Sequence, residues 1–384
     1  MRKKKIAILG STGSIGVNTL NVVRRYPDRF EVVLLTACNS VGLLSEQISL
    51  FKPRQVALAI DHIPRLQKEF PRVKFFDVGT DAASLVAQKD IDIVVLATAG
   101  AAALDPFLSA VRAGKTVAPA NKEALVIAGR IIMKEALKNK AVVIPVDSEQ
   151  SAIFQCLQGH SRKDLKKVHL TASGGPLRKT RKNEMSRMTV DDVLRHPRWK
   201  MGSRITVNSA TLMNKGFEVM EAQRLFGLAI DQIKVVVHPE ALIHSLVEFV
   251  DGSLIAQLSV TDMRIPIQYA LTWPDRISTG LQGLDLAALG ALTFEEPDLA
   301  KFPSLALALD VARIEGSLPA VLNAADEVAV KAFLDRKLSL IGMYKLVEKV
   351  VRTHHPISVP SIYEIKQADQ WARESATALI GRIK

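Results

Sequence analysis

The sequence predicts an α/β chain in three parts: an N-terminal doubly wound sheet, a central α+β domain and a C-terminal helical domain. Three observations predict it. Over the first 147 residues, short apolar runs alternate with helical patterns, as βαβ units feeding a parallel sheet do. After Glu149 the texture changes to strands grouped around a turn, with helices between basic loops. From residue 304 onward the pattern is mostly helical. At 384 residues the chain exceeds what one hydrophobic core organises, so several domains are expected.

Taken in order, the first part predicts strands over 5–9, 30–37, 55–60, 91–97, 116–118 and 141–146. Helical stretches such as 16–25, 43–51 and 104–113 separate them, which makes this part Rossmann-like. The central part predicts a helix over 151–157, a strand over 168–172, a helix over 214–226, and strands over 234–237, 246–250 and 254–258. Asp251-Gly252 between the last two is a hairpin signal. Residues 274–303 read as a loop-rich linker. Helices are expected over 305–315, 318–333, 340–352 and 361–373.

Composition excludes several classes. Hydrophobic residues make up 48% of the chain without a run of about 18 apolar residues, so no membrane partner is expected. The N-terminus goes straight into a strand, without a signal-peptide pattern. Cys38 and Cys156 form neither a disulfide framework nor a metal spacing. A bacterial cytoplasm is the expected location. Net charge is +12, and residues 161–204 hold thirteen Lys/Arg against four Asp/Glu. That block lacks a zinc pattern, interleaved aromatics and an RNA-binding signature, so no nucleic-acid partner is expected. A field that draws in a small phosphorylated substrate explains the charge equally well.

The motifs carry the chemistry. Gly10-Ser11-Thr12-Gly13-Ser14-Ile15-Gly16 follows the first strand and opens the first helix. Glycines there let backbone N–H groups approach a pyrophosphate at a helix N-terminus. The second strand ends at Cys38-Asn39-Ser40 without the Asp or Glu that would bind a ribose 2′-hydroxyl, which favours NADP. Asp147-Ser148-Glu149 closes the last strand of the sheet. Read alone, it is either an N-capped turn or a set of hard oxygen ligands for Mg²⁺ or Mn²⁺. Lys122, after Asn121 at another strand end, either polarises a substrate oxygen or pairs with Glu123. In the stretch 208–218, Ser209, Asn214 and Lys215 suit a phosphate, and Glu218 could join Asp147 and Glu149 around a dication. Glu221 reads as part of a solvated helix face. His196, Trp199, Met201 and Gly202 lie in a basic loop that suits a lid over substrate. His238 and His244 read as structural.

As an ordered set, these segments resemble the 1-deoxy-D-xylulose 5-phosphate reductoisomerase family of the non-mevalonate isoprenoid pathway. The carrying motifs are GSTGSIG (10–16), ANKE (120–123), PVDSE (145–149), SGGP (173–176), HPRWKMG (196–202), NSATLMNKGFE (208–218) and HPEALIHS (238–245). DGS (251–253), DMRIPI (262–267) and LNAADE (322–327) are also consistent with it.

The resemblance implies NADPH on residues 1–147, with Gly10, Thr12, Gly13, Ser14 and Ile15 at its pyrophosphate. Cys38, Asn39 and Ser40 would lie near the 2′-phosphate, and Asn121, Glu123 and Gly202 near the nicotinamide. Asp147, Glu149 and Glu218 would bind the metal. Lys122, Ser148 and Glu149 would hold the substrate backbone, and Ser173, His196, Ser209, Asn214 and Lys215 its phosphate. Trp199 would cover bound substrate. Residues 148–273 would be a catalytic and dimerisation domain with a flexible lid near 193–203, in a homodimer. The segment 38–40 departs from the family pattern, which often has glycine and sometimes a basic residue there.

Two other readings compete. A simple NADP dehydrogenase of a phosphorylated or acidic aldehyde would not need the metal, and in its phosphorylating form would need a nucleophilic cysteine. Neither Cys38 nor Cys156 is placed for that role. A basic, NADP-binding regulator of nucleic acid leaves the three carboxylates unexplained.

Overall fold

A computed structural model describes residues 2–195 and 202–383. In chain order the first elements are β1 (Lys4–Leu9), α1 (Ser14–Arg25), β2 (Phe30–Thr36), α2 (Val41–Phe51), β3 (Gln55–Leu58), α3 (Ile63–Glu69), β4 (Lys74–Asp77), α4 (Val78–Val86), β5 (Ile93–Leu96), α5 (Leu104–Arg112), β6 (Thr116–Pro119), α6 (Lys122–Lys138), β7 (Val142–Val143) and α7 (Ser148–Cys156). There follow β8 (Leu165–Ala172), α8 (Val190–Val193), α9 (Ser203–Ala210), α10 (Met213–Phe226), β9 (Ile233–Val237), β10 (Ile243–Phe249), β11 (Leu254–Leu258) and α11 (Arg264–Thr272). The last are α12 (Leu286–Leu289), α13 (Pro303–Ile314), α14 (Leu318–Leu334), α15 (Leu340–Thr353) and α16 (Ile362–Leu379).

The backbone divides into two compact units. One comprises 1–124, 130–154 and 262–282, and the other 125–129, 155–261 and 283–384. Both are discontinuous in sequence.

The first unit holds a seven-stranded sheet in the order β4-β3-β2-β1-β5-β6-β7. All its pairings are parallel. Strands such as Ile6–Leu9 and Ile93–Leu96 are buried throughout, which explains their unbroken apolar sequence. Leu20, Val22 and Val23 of α1 and Ile267, Ala270 and Leu271 of α11 close the same core. Strand order reverses between β1 and β5, and the crevice beyond such a reversal is where ligands bind in open sheets. Beyond the predicted strands the structure adds β4, a four-residue edge strand. The predicted strand 141–146 is regular over Val142–Val143, with the Ile144 and Val146 amides still donating to Val117 O and Pro119 O, and α7 begins at Ser148 where a helix from 151 was expected.

The second unit has a four-stranded sheet in the order β11-β10-β8-β9. β10 runs antiparallel to β8 and β11, while β8 and β9 are parallel. The Asp251-Gly252 turn joins β10 to β11, with Asp251 Oδ1 accepting from the Ser253 amide at 2.9 Å. α10 is buried along nearly its whole length and packs on α13. α14 is flanked by α15 and α16. Among the helices absent from the predicted set are α9 and, in the first unit, α11.

Candidate active site

In the first unit the glycine loop closes onto the ends of β1 and β2. The Gly10 and Ser11 amides donate to Thr36 O at 3.1 and 2.8 Å. Ser11 Oγ donates to Gln47 Oε1 at 2.7 Å, and Gln47 Nε2 returns a bond to Ser11 O at 2.9 Å. A Cβ on Gly16 would sit 2.4 Å from Gly10 O, so the helix start and the loop touch backbone to backbone. Gly13 is the N-cap of α1 and supplies no side-chain cap, so no side chain covers the first amides. Gly13 and Ser14 are exposed, and Thr12 and Ile15 half-buried. Cys38, Asn39 and Ser40 are all exposed at the end of β2.

Asn121 caps α6 through its Oδ1, which accepts from the Ala124 amide at 2.8 Å. Its Nδ2 donates to Thr98 O and Gly100 O at 2.5 and 3.0 Å. It is 3% exposed, so it acts as a strut for the 98–100 loop after β5. That loop escaped the sequence reading. Its signal was Ala97-Thr98-Ala99-Gly100, small residues directly after an apolar strand.

Lys122 begins α6 and Asp147 immediately precedes α7, bringing two strand ends of one sheet together. Lys122 Nζ lies 2.7 Å from Asp147 Oδ2, with both side chains nearly buried. This oxygen is paired by charge with the lysine. Ser148 Oγ donates to Glu149 Oε2. Glu149 stands in the first turn of α7, where the helix dipole favours a carboxylate.

In the second unit, α10 carries Asn214, Lys215 and Glu218 on consecutive turns. Asn214 Nδ2 donates to Glu218 Oε1, and Lys215 Nζ to Glu218 Oε2. Lys215 and Glu218 are 3% and 1% exposed. Burial of both charges is tolerated because each neutralises the other. Glu221 corrects the sequence reading. It is 1% exposed rather than solvated, because α10 is a central helix packed between β-strands and α13.

The turn holding Ser173 packs on the end of α9. A Cβ on Gly175 would fall 2.5 Å from Ser209 O, and Ser173 Oγ accepts from the Gly175 amide at 3.3 Å. Ser173 and Ser209 are therefore neighbours, both half-buried. Gly202 is the exposed N-cap of α9. His196 and Trp199, with most of the lid predicted near 193–203, lie outside the described residues. His238 is structural: its Nε2 accepts from the Leu242 and Ile243 amides, and its Nδ1 lies 2.9 Å from Thr293 O.

Comparison with known proteins gives this geometry a context. Family models described as 1-deoxy-D-xylulose 5-phosphate reductoisomerase, and as its two C-terminal domains, match residues 6–129, 143–226 and 258–375. A 1-deoxy-D-xylulose 5-phosphate reductoisomerase of Chlorobium chlorochromatii is 47% identical over 383 residues, 98% of this chain and 100% of the relative. The chain belongs to the 1-deoxy-D-xylulose 5-phosphate reductoisomerase family.

Solved reductoisomerase structures share the fold. One, a complex with NADPH, fosmidomycin and magnesium, superposes with a TM-score of 0.93 at 38% identity, covering 98% of both chains. Another, from Zymomonas mobilis with NADPH, gives 0.93 at 38% identity over 99% of both. The α/β class with a helical C-terminal region is thus that of the reductoisomerase family.

Proposed function

We propose that this chain catalyses the NADPH- and divalent-metal-dependent rearrangement and reduction of 1-deoxy-D-xylulose 5-phosphate to 2-C-methyl-D-erythritol 4-phosphate. The observation that carries the reading is the full-length similarity to reductoisomerases, one of them solved with NADPH and magnesium. The metal ligands on this reading are Asp147, Glu149 and Glu218, half-buried, half-buried and buried respectively. Asp147 Oδ2, a carboxylate oxygen paired by charge with Lys122, is a hard donor of the kind such an ion takes. An all-oxygen donor set of this kind fits Mg²⁺ or Mn²⁺.

When bound, the ion supplies Lewis acidity at the substrate ketone and its adjacent hydroxyl. NADPH supplies the hydride. The protein's own residues do the rest. Thr12, Gly13, Ser14 and Ile15 offer backbone donors to the cofactor pyrophosphate, with Gly10 setting the turn. Cys38, Asn39 and Ser40 border the 2′-phosphate. Asn121 holds the 98–100 loop in place, and it, Glu123 and Gly202 are assigned to the nicotinamide end. Lys122, Ser148 and Glu149 orient the substrate backbone, and the Lys122 ammonium stabilises negative charge as it develops on a substrate oxygen. Ser173, Ser209, Asn214 and Lys215 hold the phosphate, whose binding energy serves to position the reacting carbons. The family motif adds His196 to that set and Trp199 as a cover.

The carbon skeleton rearranges by retro-aldol cleavage and re-addition. The branched aldehyde so formed then takes the hydride.

On this reading residues 1–147 are the NADP-binding domain and 148–273 the catalytic and dimerisation domain. Residues 274–303 form a linker and 304–384 a helical domain. The working state is a homodimer, for which β11 supports an interface: it is the open edge of its sheet, with Leu254 57% exposed. Among the described residues no helix is long and apolar enough to cross a membrane. The bacterial cytoplasm is the proposed location.

Substrate-dependent oxidation of NADPH, followed with and without Mg²⁺ or Mn²⁺, tests the reading. Activity should vanish on exhaustive chelation and return with either metal. Full activity after chelation would overturn it in favour of a simple dehydrogenase.

A further inference from the structure

The glycine loop opens α1, but the far end of that helix carries a second concentration of positive charge. Arg24 and Arg25 occupy its last turn. With Asn21, Arg264, Gln268 and Thr279 they line a cavity of about 380 Å³ within the first unit. At ~1.5 Å of rise per residue, Arg25 lies roughly 18 Å along the helix from Gly13, well away from the nucleotide loop.

Arg24 and Arg25 are exposed, and three features mark the open cavity they line. The first is that the exposed Arg25 guanidinium lies against the Gly280 backbone. A Cβ on Gly280 would fall 2.0 Å from Arg25 Nη1, so the guanidinium rests on the Gly280 backbone, which has φ +67°. The segment carrying Gly280 is itself tied down. Gln268 Nε2 donates to Ile277 O at 2.7 Å, and the Tyr26 hydroxyl donates to Ser278 O.

The second feature is the presentation of Arg264. Its Nε and Nη2 bind Asp262 in a fork at 3.0 and 2.6 Å, which leaves Nη1 on the other edge. The third is charge. Arg24, Arg25 and Arg264 set three cations against the single Asp262 carboxylate, and among the described residues neither Arg24 nor Arg25 has an ion pair. The balance of two positive charges matches a dianion.

We propose that this cavity binds the phosphate dianion of a small phosphorylated molecule, at a site separate from those of the cofactor and the substrate. Guanidinium forks match phosphate geometry, and Arg264 is held in position by Asp262 before any ligand arrives. The Asn21 amide and Thr279 hydroxyl add neutral donors. The volume lies in the range of small-molecule sites. This proposal stands independently of the catalytic reading.

Isothermal titration of inorganic pyrophosphate into the full-length protein, saturated with NADPH and held at constant ionic strength, tests it. The wild type should show a saturable site whose affinity falls at least about tenfold in the Arg24→Gln/Arg25→Gln double variant. NADPH affinity and Tm should be unchanged. Equal affinity in the two proteins would overturn the proposal. A second readout needs no variant: amide resonances of Asn21 and Thr279 in the wild type should shift on titration, and their failure to shift would equally overturn it.

Discussion

Lys122 and Asp147 face each other at 2.7 Å, their side chains 12% and 14% exposed. On the proposed reading the lysine is a charge directed at a substrate oxygen, an interaction that little solvent screens at this depth. Replacing Lys122 with Ala should lower turnover by about 10²–10³-fold, as loss of one preorganised donor commonly does, while NADPH affinity holds. Steady-state rates with a fluorescence titration of NADPH would show this, and a parallel loss of both would place Lys122 at the cofactor instead. Glu218→Gln should cut turnover by more than about 100-fold, since even partners outside the ligand shell cost 10–100-fold, again with NADPH affinity intact. A large loss of NADPH binding would remove Glu218 from the metal site. At this scale the sequence shows where polar groups and glycines meet element ends, and the structure finds them there: the glycines at 10–16 between β1 and α1, the carboxylates at 147 and 149 around the start of α7, the Asn-Lys pair at 214 and 215 in the first turn of α10. The sequence was not legible where packing decides. Nothing in Asn121 announces that it ties down the 98–100 loop, and nothing in Glu221 announces its burial.

Between elements, α9 is joined to α14 by polar contacts. Asn208 Nδ2 donates to Asp326 Oδ2 at 2.8 Å, and Arg204 Nη2 lies 3.6 Å from the same oxygen. Arg204 also reaches Asn323 and Glu327, and Arg373 of α16 binds Glu327. Asp326 is 2% exposed, so Asp326→Ala strands buried donors on the helix that carries Ser209. A loss of about 3 kcal/mol is expected, at the low end for breaking a buried pair because Arg204 keeps some solvent contact. Urea unfolding would measure it, and a change under about 0.5 kcal/mol, as at an ordinary surface site, would contradict it.

His354 links the same bundle. It lies 2.8 Å from Ser317 Oγ, and burial holds its imidazole below the usual value. The folded state therefore resists the proton more than the unfolded chain does. Stability should fall as pH drops through the ordinary histidine range and level off below the lowered folded value. Tm scans from pH 7 to pH 5 should show a shallower slope in His354→Gln than in the wild type; identical slopes would contradict the assignment. Elements with strong periodicity, such as β1, α10 and the C-terminal helices, were readable in advance. β4 was not, being four residues on a sheet edge, and neither was α11, whose partner α1 lies about 240 residues away in sequence.

For the molecule as a whole, the class of fold followed from the change of texture near residue 149, but the compact units did not follow the order of the chain. Residues 262–282 return to the first unit, because Ile267, Ala270 and Leu271 complete its core. A contact of such long sequence separation leaves no local pattern to read. The proposed homodimer is a claim at this scale too. Light scattering should give twice the 42.0 kDa chain mass, and charged substitutions at Val250 and Leu254, both exposed, should reduce it toward the monomer. A monomer in the wild type would contradict it.

The central claim, that a carbon skeleton is rearranged before it is reduced, is tested most directly by the product. Proton NMR of the reaction of 1-deoxy-D-xylulose 5-phosphate with NADPH and Mg²⁺ reads the methyl group. Rearrangement places that methyl on a carbon bearing no hydrogen, so a singlet is expected. A doublet, from a methyl beside a newly formed CH–OH, would mean direct reduction of the ketone and would contradict the account.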